Sequence, residues 1–210
     1  MRCASARSRA WCATASRHGR GSATAGAGPT IRLRDITLDR PRLLLVGINP
    51  SATSGRVGHH FAGPGNPFYR LLHAAHLVPV ELAARDDARL VEWRLALVNL
   101  CPRPTRSAAE LTRAELQRGV KRLARKARAL RPEAIALVGV TLYPLIFGRG
   151  GPPGPGAKPE TLAGARVFVL PNPSGLNASY PSFRAKLAWF VALREWLDHG
   201  GGGMPAPPSR

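Results

Sequence analysis

The feature that most constrains this chain is a set of four short apolar runs: Leu43–Ile48, Leu95–Leu100, Ala134–Val138 and Arg166–Leu170. A strand with one wet face alternates apolar and polar residues, whereas a strand covered on both faces reads as a continuous hydrophobic segment. Helical patterns separate the runs. In the clearest of them Thr112 and Glu115 have the spacing of a capping box, and Leu116, Val120, Leu123, Ala127 and Leu130 fall on one face. Arg118, Lys121, Arg122, Arg125 and Arg128 lie on the other faces and read as a solvated surface. A last helix is expected to begin near Pro181, a residue suited to a first turn, and to bury Phe183, Leu187, Phe190 and Leu197. This alternation specifies an α/β fold: a three-layer α/β/α sandwich around a central, mostly parallel, four-stranded sheet.

The folded domain is expected to span residues 31–199. Residues 1–30 are rich in Arg, Ser, Ala and Gly without hydrophobic periodicity, and read as a disordered basic extension. An organelle transit peptide shares that composition and is the lesser reading. Residues 200–210 read as a disordered tail. No apolar stretch has the length of a membrane span or of a secretory h-region. Cys3, Cys12 and Cys101 supply neither a disulfide framework nor a four-cysteine cluster. A reduced cytoplasmic monomer is expected, nucleoid-associated in a bacterium, with no metal and no cofactor. The segment from Gly151 to Lys158 superficially resembles a phosphate-binding loop, but its prolines remove the N–H donors that such a loop needs. It is read as a flexible surface loop.

The formal net charge is +19, which favours an anionic partner, and nucleic acid is the commonest. Seven arginines and no acid in the first 34 residues contribute +7 of it, leaving a body of +12. Only four basic residues are lysine, and Ala, Gly and Pro are abundant, so the codon bias of a GC-rich genome accounts for part of the arginine. Charge alone does not decide the partner.

The residues that follow the strands are more specific. Asn49 follows the first run, Asn99 lies near the end of the second, Gly139 follows the third, and Asn172 follows the fourth. In an open parallel sheet, ligands bind outside the carboxyl ends of the strands. Three asparagines would therefore meet at one edge, in a site that reads a polar, amide-like group. Turn-forming asparagines give the same pattern, and spacing does not separate the two readings.

Two motifs occupy that edge: Gly47-Ile48-Asn49-Pro50-Ser51, continuing into Gly58-His59-His60-Phe61, and Leu170-Pro171-Asn172-Pro173-Ser174-Gly175-Leu176-Asn177. Together they resemble the two active-site motifs of the mismatch-specific uracil/thymine-DNA glycosylases, a resemblance that spans roughly Arg42 to Leu197 and includes Arg103-Pro104-Thr105. It implies a four-stranded parallel sheet between helices and a monofunctional enzyme that removes uracil, thymine or ethenocytosine mispaired with guanine, with double-stranded DNA containing G·U or G·T mismatches as its partner. Asn49 would position the attacking water. An amide orients water but does not take its proton, so the backbone N–H of Ile48 and backbone near Phe61 would stabilise the departing base. Phe61 would stack on the flipped base, with His60 marking members that accept thymine, Ser54 lying near the base's 5-substituent and Asn99 facing its polar edge. Asn172, Pro173, Ser174, Gly175, Leu176 and Asn177 would contact the duplex, Leu176 as the wedge that fills the vacated stack.

The sequence departs from the family pattern at Ser51, commonly glycine, at Tyr69, commonly tryptophan, and at Ala178, where some bacterial members carry an arginine that reads the orphan guanine. The competing readings are a single-strand-selective or general uracil-DNA glycosylase, whose second motif would begin with histidine where this chain has Asn172, and a non-catalytic DNA-binding module.

Overall fold

Each of the four apolar runs forms a strand in the computed structural model, which describes residues 33–148, 151–174 and 179–200. The strands are β1 (Leu43–Gly47), β2 (Leu95–Asn99), β3 (Ala134–Val138), β4 (Gly156–Leu162) and β5 (Ala165–Leu170), in the order β2-β1-β3-β5-β4. β1, β2, β3 and β5 are parallel, with Leu43 opposite both Leu95 and Ala134. Every residue of β1 and β3 is buried, as both-face coverage requires.

β4 makes the sheet five-stranded rather than four-stranded. It runs antiparallel to β5, joined through Ala163 and Gly164, both at positive φ (55° and 84°), the conformation a two-residue hairpin demands. Its sequence contains Gly156 and Pro159, which hide it. Proline is tolerated on an edge strand or at a bulge, and the β4–β5 register shifts between Lys158 and Thr161. The expected flexible loop is thus corrected over Gly156–Lys158, and the buried Lys158 ammonium donates to the carbonyls of Pro152 (2.7 Å) and Gly154 (2.9 Å).

The helices are α1 (Ala52–Val57), α2 (Phe68–Ala74), α3 (Arg113–Leu130), α4 (Leu142–Phe147) and α5 (Phe183–Asp198). Leu43, Leu45, Leu95, Leu97, Phe168 and Leu170 point into a core shared with α2, α5 and a 3-10 segment, Ala84–Trp93. Their sequence neighbours, Leu44, Val46, Ala96, Val98, Val167 and Val169, point into a second core under α3 and α4. Period-two alternation thus builds two cores from one sheet, and each fully buried leucine or valine stabilises the fold by about 1.5–3 kcal/mol.

α3 begins as its sequence specifies, with Thr112 accepting from the Glu115 N–H and Glu115 reaching back to the Thr112 N–H. α5 starts two residues after the expected Pro181, because the Ser182 hydroxyl accepts from the Ala185 N–H and makes Ser182 the cap. Phe190 and Leu197 are buried on it, and Phe183 and Leu187 pack at its margin. Among the described residues no helix is long and apolar enough to cross a membrane.

Candidate active site

The carboxyl ends of β1, β2, β3 and β5 form one edge of the sheet, which carries Asn99, Asn49, Gly139 and Asn172 in that spatial order. Adjacent strands lie about 4.8 Å apart, so Asn49 and Asn99 are near neighbours while Asn172 stands two strands beyond Asn49. Gly175, Leu176 and Asn177 lie outside the described residues.

The Asn49 side chain is held by its donor edge. Its Nδ2 donates to the Arg103 carbonyl (3.1 Å), to the Thr105 hydroxyl (2.7 Å) and, at 3.1 Å, to the Pro50 carbonyl. Two of these acceptors are carbonyls, which cannot donate, so the amide has one acceptable orientation. Its Oδ1 accepts from no group among the described residues and is the atom left to meet a water. Thr105 is buried and donates its own proton to the Ser107 carbonyl (2.8 Å), so its oxygen faces Asn49 as an acceptor. The Ala52 N–H to Thr105 carbonyl bond (2.9 Å) and the Thr105 N–H to Pro50 carbonyl bond (3.2 Å) fasten the two loops together.

Arg103, whose carbonyl orients Asn49, is itself fixed by Glu115, the capping residue of α3, at 2.6 and 3.1 Å. The Arg103 guanidinium, then the Thr112 N–H and hydroxyl, hold the Glu115 carboxyl down at about 2. Ser51, where glycine is commoner, caps α1 by accepting from the Ser54 N–H (3.1 Å).

Phe61 is half-buried and stacks on Phe68 with ring centroids 3.9 Å apart and planes 18° from parallel. Its φ of +51° is unusual for a bulky residue, and such conformations persist where surrounding contacts hold them. Here those contacts flank it on both sides. The His60 N–H donates to Asp87 (2.9 Å), the His60 carbonyl accepts from the Tyr69 hydroxyl (2.8 Å), and the Ala62 N–H donates to Ser54 Oγ (3.1 Å). Ser54, only 1% exposed, therefore spends its hydroxyl on the Phe61 loop and on Ser51. The N–H of Phe61 donates to nothing among the described residues. Ile48 turns its side chain toward the α3–α4 core, and its carbonyl accepts from the Cys101 N–H (2.8 Å).

His60 is buried, 3% exposed. Its Nε2 lies 2.9 Å from the Arg34 carbonyl, and its Nδ1 lies 3.2 Å from Asn99 Nδ2. A carbonyl requires a proton on Nε2, and an amide NH2 requires a lone pair on Nδ1. Both constraints select the same neutral tautomer. Burial pushes the imidazole below its ordinary value of 6.5, against smaller upward pulls from the Arg34 carbonyl, Asp87 and Asp35, with His59 adding slightly to the depression. In acid the unfolded chain takes up this proton before the folded one. The stability linked to His60 is therefore complete above about pH 6.5 and is lost as pH falls below it. Urea melts at pH 7.5 and pH 5.5 are expected to show a larger acid loss for the wild type than for His60→Gln.

With its Nδ2 facing His60, Asn99 turns Oδ1 toward Gly47, where a Cβ would sit 2.6 Å from that oxygen and 3.5 Å from the Phe61 ring. Glycine is required there, because Asn99 Oδ1 and the Phe61 ring already occupy the space a side chain would take. On the second motif, Asn172 Oδ1 accepts from the Ser174 N–H (3.0 Å), and the Ser174 carbonyl accepts from the buried ammonium of Lys186 on α5 (3.1 Å).

A model of the uracil DNA glycosylase superfamily matches residues 35–198, nearly all of the folded body. The chain belongs to the uracil DNA glycosylase superfamily. The fold is similar to the solution NMR structure of a candidate uracil DNA glycosylase from Methanosarcina acetivorans, with a TM-score of 0.56 and 19% identity over 81% of this chain and 99% of that one. Membership of the superfamily places the chain among the DNA glycosylases, hydrolases of DNA repair, and makes DNA its partner.

The two candidate motifs are legible in the sequence, but the residues that hold them are not. Asp87 sits in a polar stretch with no periodicity, and the Arg34 carbonyl and Lys186 carry no local signal. Thr105 was visible only as part of Arg103-Pro104-Thr105.

Proposed function

We propose that this glycosylase hydrolyses the N-glycosidic bond of uracil or thymine mispaired with guanine in double-stranded DNA. The observation that carries the reading is the Asn49 amide, tied down through Nδ2 to Arg103 and Thr105 so that Oδ1 is left for a water. In the reaction the water oxygen bonds to C1′ of the flipped nucleotide while the C1′–N1 bond breaks. The electron pair leaves with the base, which is protonated from solvent, and the attacking water loses its proton to solvent. Oδ1 can orient that water but is a poor proton acceptor, and Gly47 to Phe61 contains no Asp or Glu. The rate then rests on the leaving group, which the Phe61 N–H and the Ile48 backbone stabilise as negative charge develops.

Phe61, backed by Phe68, is the platform for the flipped base, and Asn99 reads its polar edge. Ser54 acts on base preference through the Phe61 loop, since its hydroxyl is engaged there. Asn172, Pro173 and Ser174 anchor the segment that meets DNA, and Leu176, with Gly175 and Asn177 beside it, is the wedge by its place in the sequence motif. No lyase step is part of the proposal, and the product is an intact abasic site. With Ala178 in place of arginine, the opposite guanine is read by backbone groups.

Single-turnover base release from G·U, G·T and A·U duplexes and from single-stranded U tests this. Release confined to the G-mispaired duplexes is expected. Comparable rates on A·U and single strands would identify a general uracil glycosylase, and no release from any substrate would favour a binding module. Leu176→Ala is expected to slow release from G·U duplex roughly tenfold more than from single strands, in line with the few kcal/mol that extrusion costs. Equal losses on both would remove Leu176 from the wedge role.

A further inference from the structure

Asn99 is useful to a pyrimidine site only if its amide faces the correct way, and the surrounding contacts determine which way that is. We infer that His60 is a positioning residue that selects the base: its Nδ1 lone pair holds Asn99 Nδ2 and thereby presents Asn99 Oδ1 to the imide edge of uracil or thymine, against the opposite edge of cytosine. The inference rests on the glycosylase reading and adds to it the device that makes the choice.

The arrangement begins outside the site. Ile36 pairs antiparallel with Leu97, its N–H donating at 2.9 Å and its carbonyl accepting at 2.8 Å, so the segment before β1 lies along the β2 edge. That pairing brings the Arg34 carbonyl to the His60 ring, 2.9 Å from Nε2. A backbone carbonyl has only lone pairs, so Nε2 carries the proton and the neutral ring keeps a lone pair at Nδ1. Asn99 Nδ2, 3.2 Å away, donates to it. The reverse amide orientation would set Oδ1 against that lone pair. Only an imidazolium, or the loss of the Arg34 contact, would permit it.

The remaining valences of Asn99 then match one class of base. Oδ1, over Gly47, accepts the N3–H of an imide, and the second proton of Nδ2 reaches O4. Cytosine has a lone pair at N3 and a donor at N4, so it meets an acceptor with a lone pair and a donor with a donor. A site built to pair one edge rejects the other because buried polar groups are left unpaired. The backbone that carries the ring is held as well: the His60 N–H donates to Asp87, and the Tyr69 hydroxyl donates to the His60 carbonyl.

Two measurements test this. Long-range proton–nitrogen NMR of the free, full-length protein reads the tautomer directly and does not depend on any activity. A protonated Nε2 and an unprotonated Nδ1 are expected for His60, and a protonated Nδ1 would overturn the proposal. Single-turnover release from G·U duplex is then compared among His60→Leu, Asn99→Ala and the double variant. Groups that act as one unit are non-additive: His60→Leu is expected to cost roughly tenfold alone, as for one lost buried hydrogen bond, and nothing further once Asn99 is alanine. His60→Gln, whose amide can accept from Asn99 and donate to Arg34, is expected to recover part of the loss. Additive losses, or a His60→Gln variant no better than His60→Leu, would overturn the relay. A wild-type protein that releases no base would instead overturn the glycosylase reading, whatever the tautomer.

Discussion

Asn49→Ala is expected to lower single-turnover release from a G·U duplex by roughly 10²-fold or more, the scale of a lost positioning group, while duplex binding persists. The expectation follows from what each atom of the side chain does. Nδ2 is engaged by Arg103, Thr105 and Pro50, so it holds the amide rather than the substrate. Oδ1 accepts from no group among the described residues, and alanine removes the atom that would orient the water. The same substitution leaves the buried Thr105 hydroxyl short of a donor, which costs about 1–3 kcal/mol of stability, while the exposed Arg103 carbonyl can turn to water. A melt run beside the kinetics separates the two effects. A folded variant that binds duplex and turns over like the wild type would end the water-positioning role.

Gly47→Ala is the second large effect, and it isolates base recognition from water positioning. The new methyl would lie 2.6 Å from Asn99 Oδ1, a distance at which one of them must move. Gly47 is paired in β1 with Asn99 opposite it, so the backbone is fixed and the amide is what moves. Misplacing a positioning group by about an ångström costs on the order of 10²-fold, and a loss of that size is expected in base release. Thermal stability should fall as well, because the displaced amide gives up its hydrogen bond to the buried His60, and a melt beside the kinetics separates the two effects. A variant with unaltered release would show that the placement of the Asn99 amide against Gly47 does not govern base recognition.

Much of the frame could be read from the sequence because both-face burial leaves an unmistakable mark. Continuous runs such as Leu43–Gly47 and Ala134–Val138 have few alternatives to a covered parallel strand. The capping box at Thr112 and Glu115 is equally local, and it formed as spaced. β4 escaped because an edge strand is half exposed, tolerates proline and needs no apolar run. The 3-10 segment Ala84–Trp93 escaped because its buried residues, Asp87 and Leu90, follow no helical stripe. At the sheet edge, the candidate residues were legible in the sequence and the groups that hold them were not. His60 was legible as a motif position, but its bonds to the Arg34 carbonyl and to Asn99 span 26 and 39 residues of sequence, and only the fold brings those groups together.

The Phe61 ring rests on Phe68, and Phe68 in turn meets Phe190 of α5 edge-on, with centroids 6.4 Å apart. The surface that would receive a base is therefore the top of a column whose foot stands between α2 and α5. The Phe61 ring is thus tied by packing to the seam between two helices, and a cavity made by Phe190→Ala is expected to loosen it.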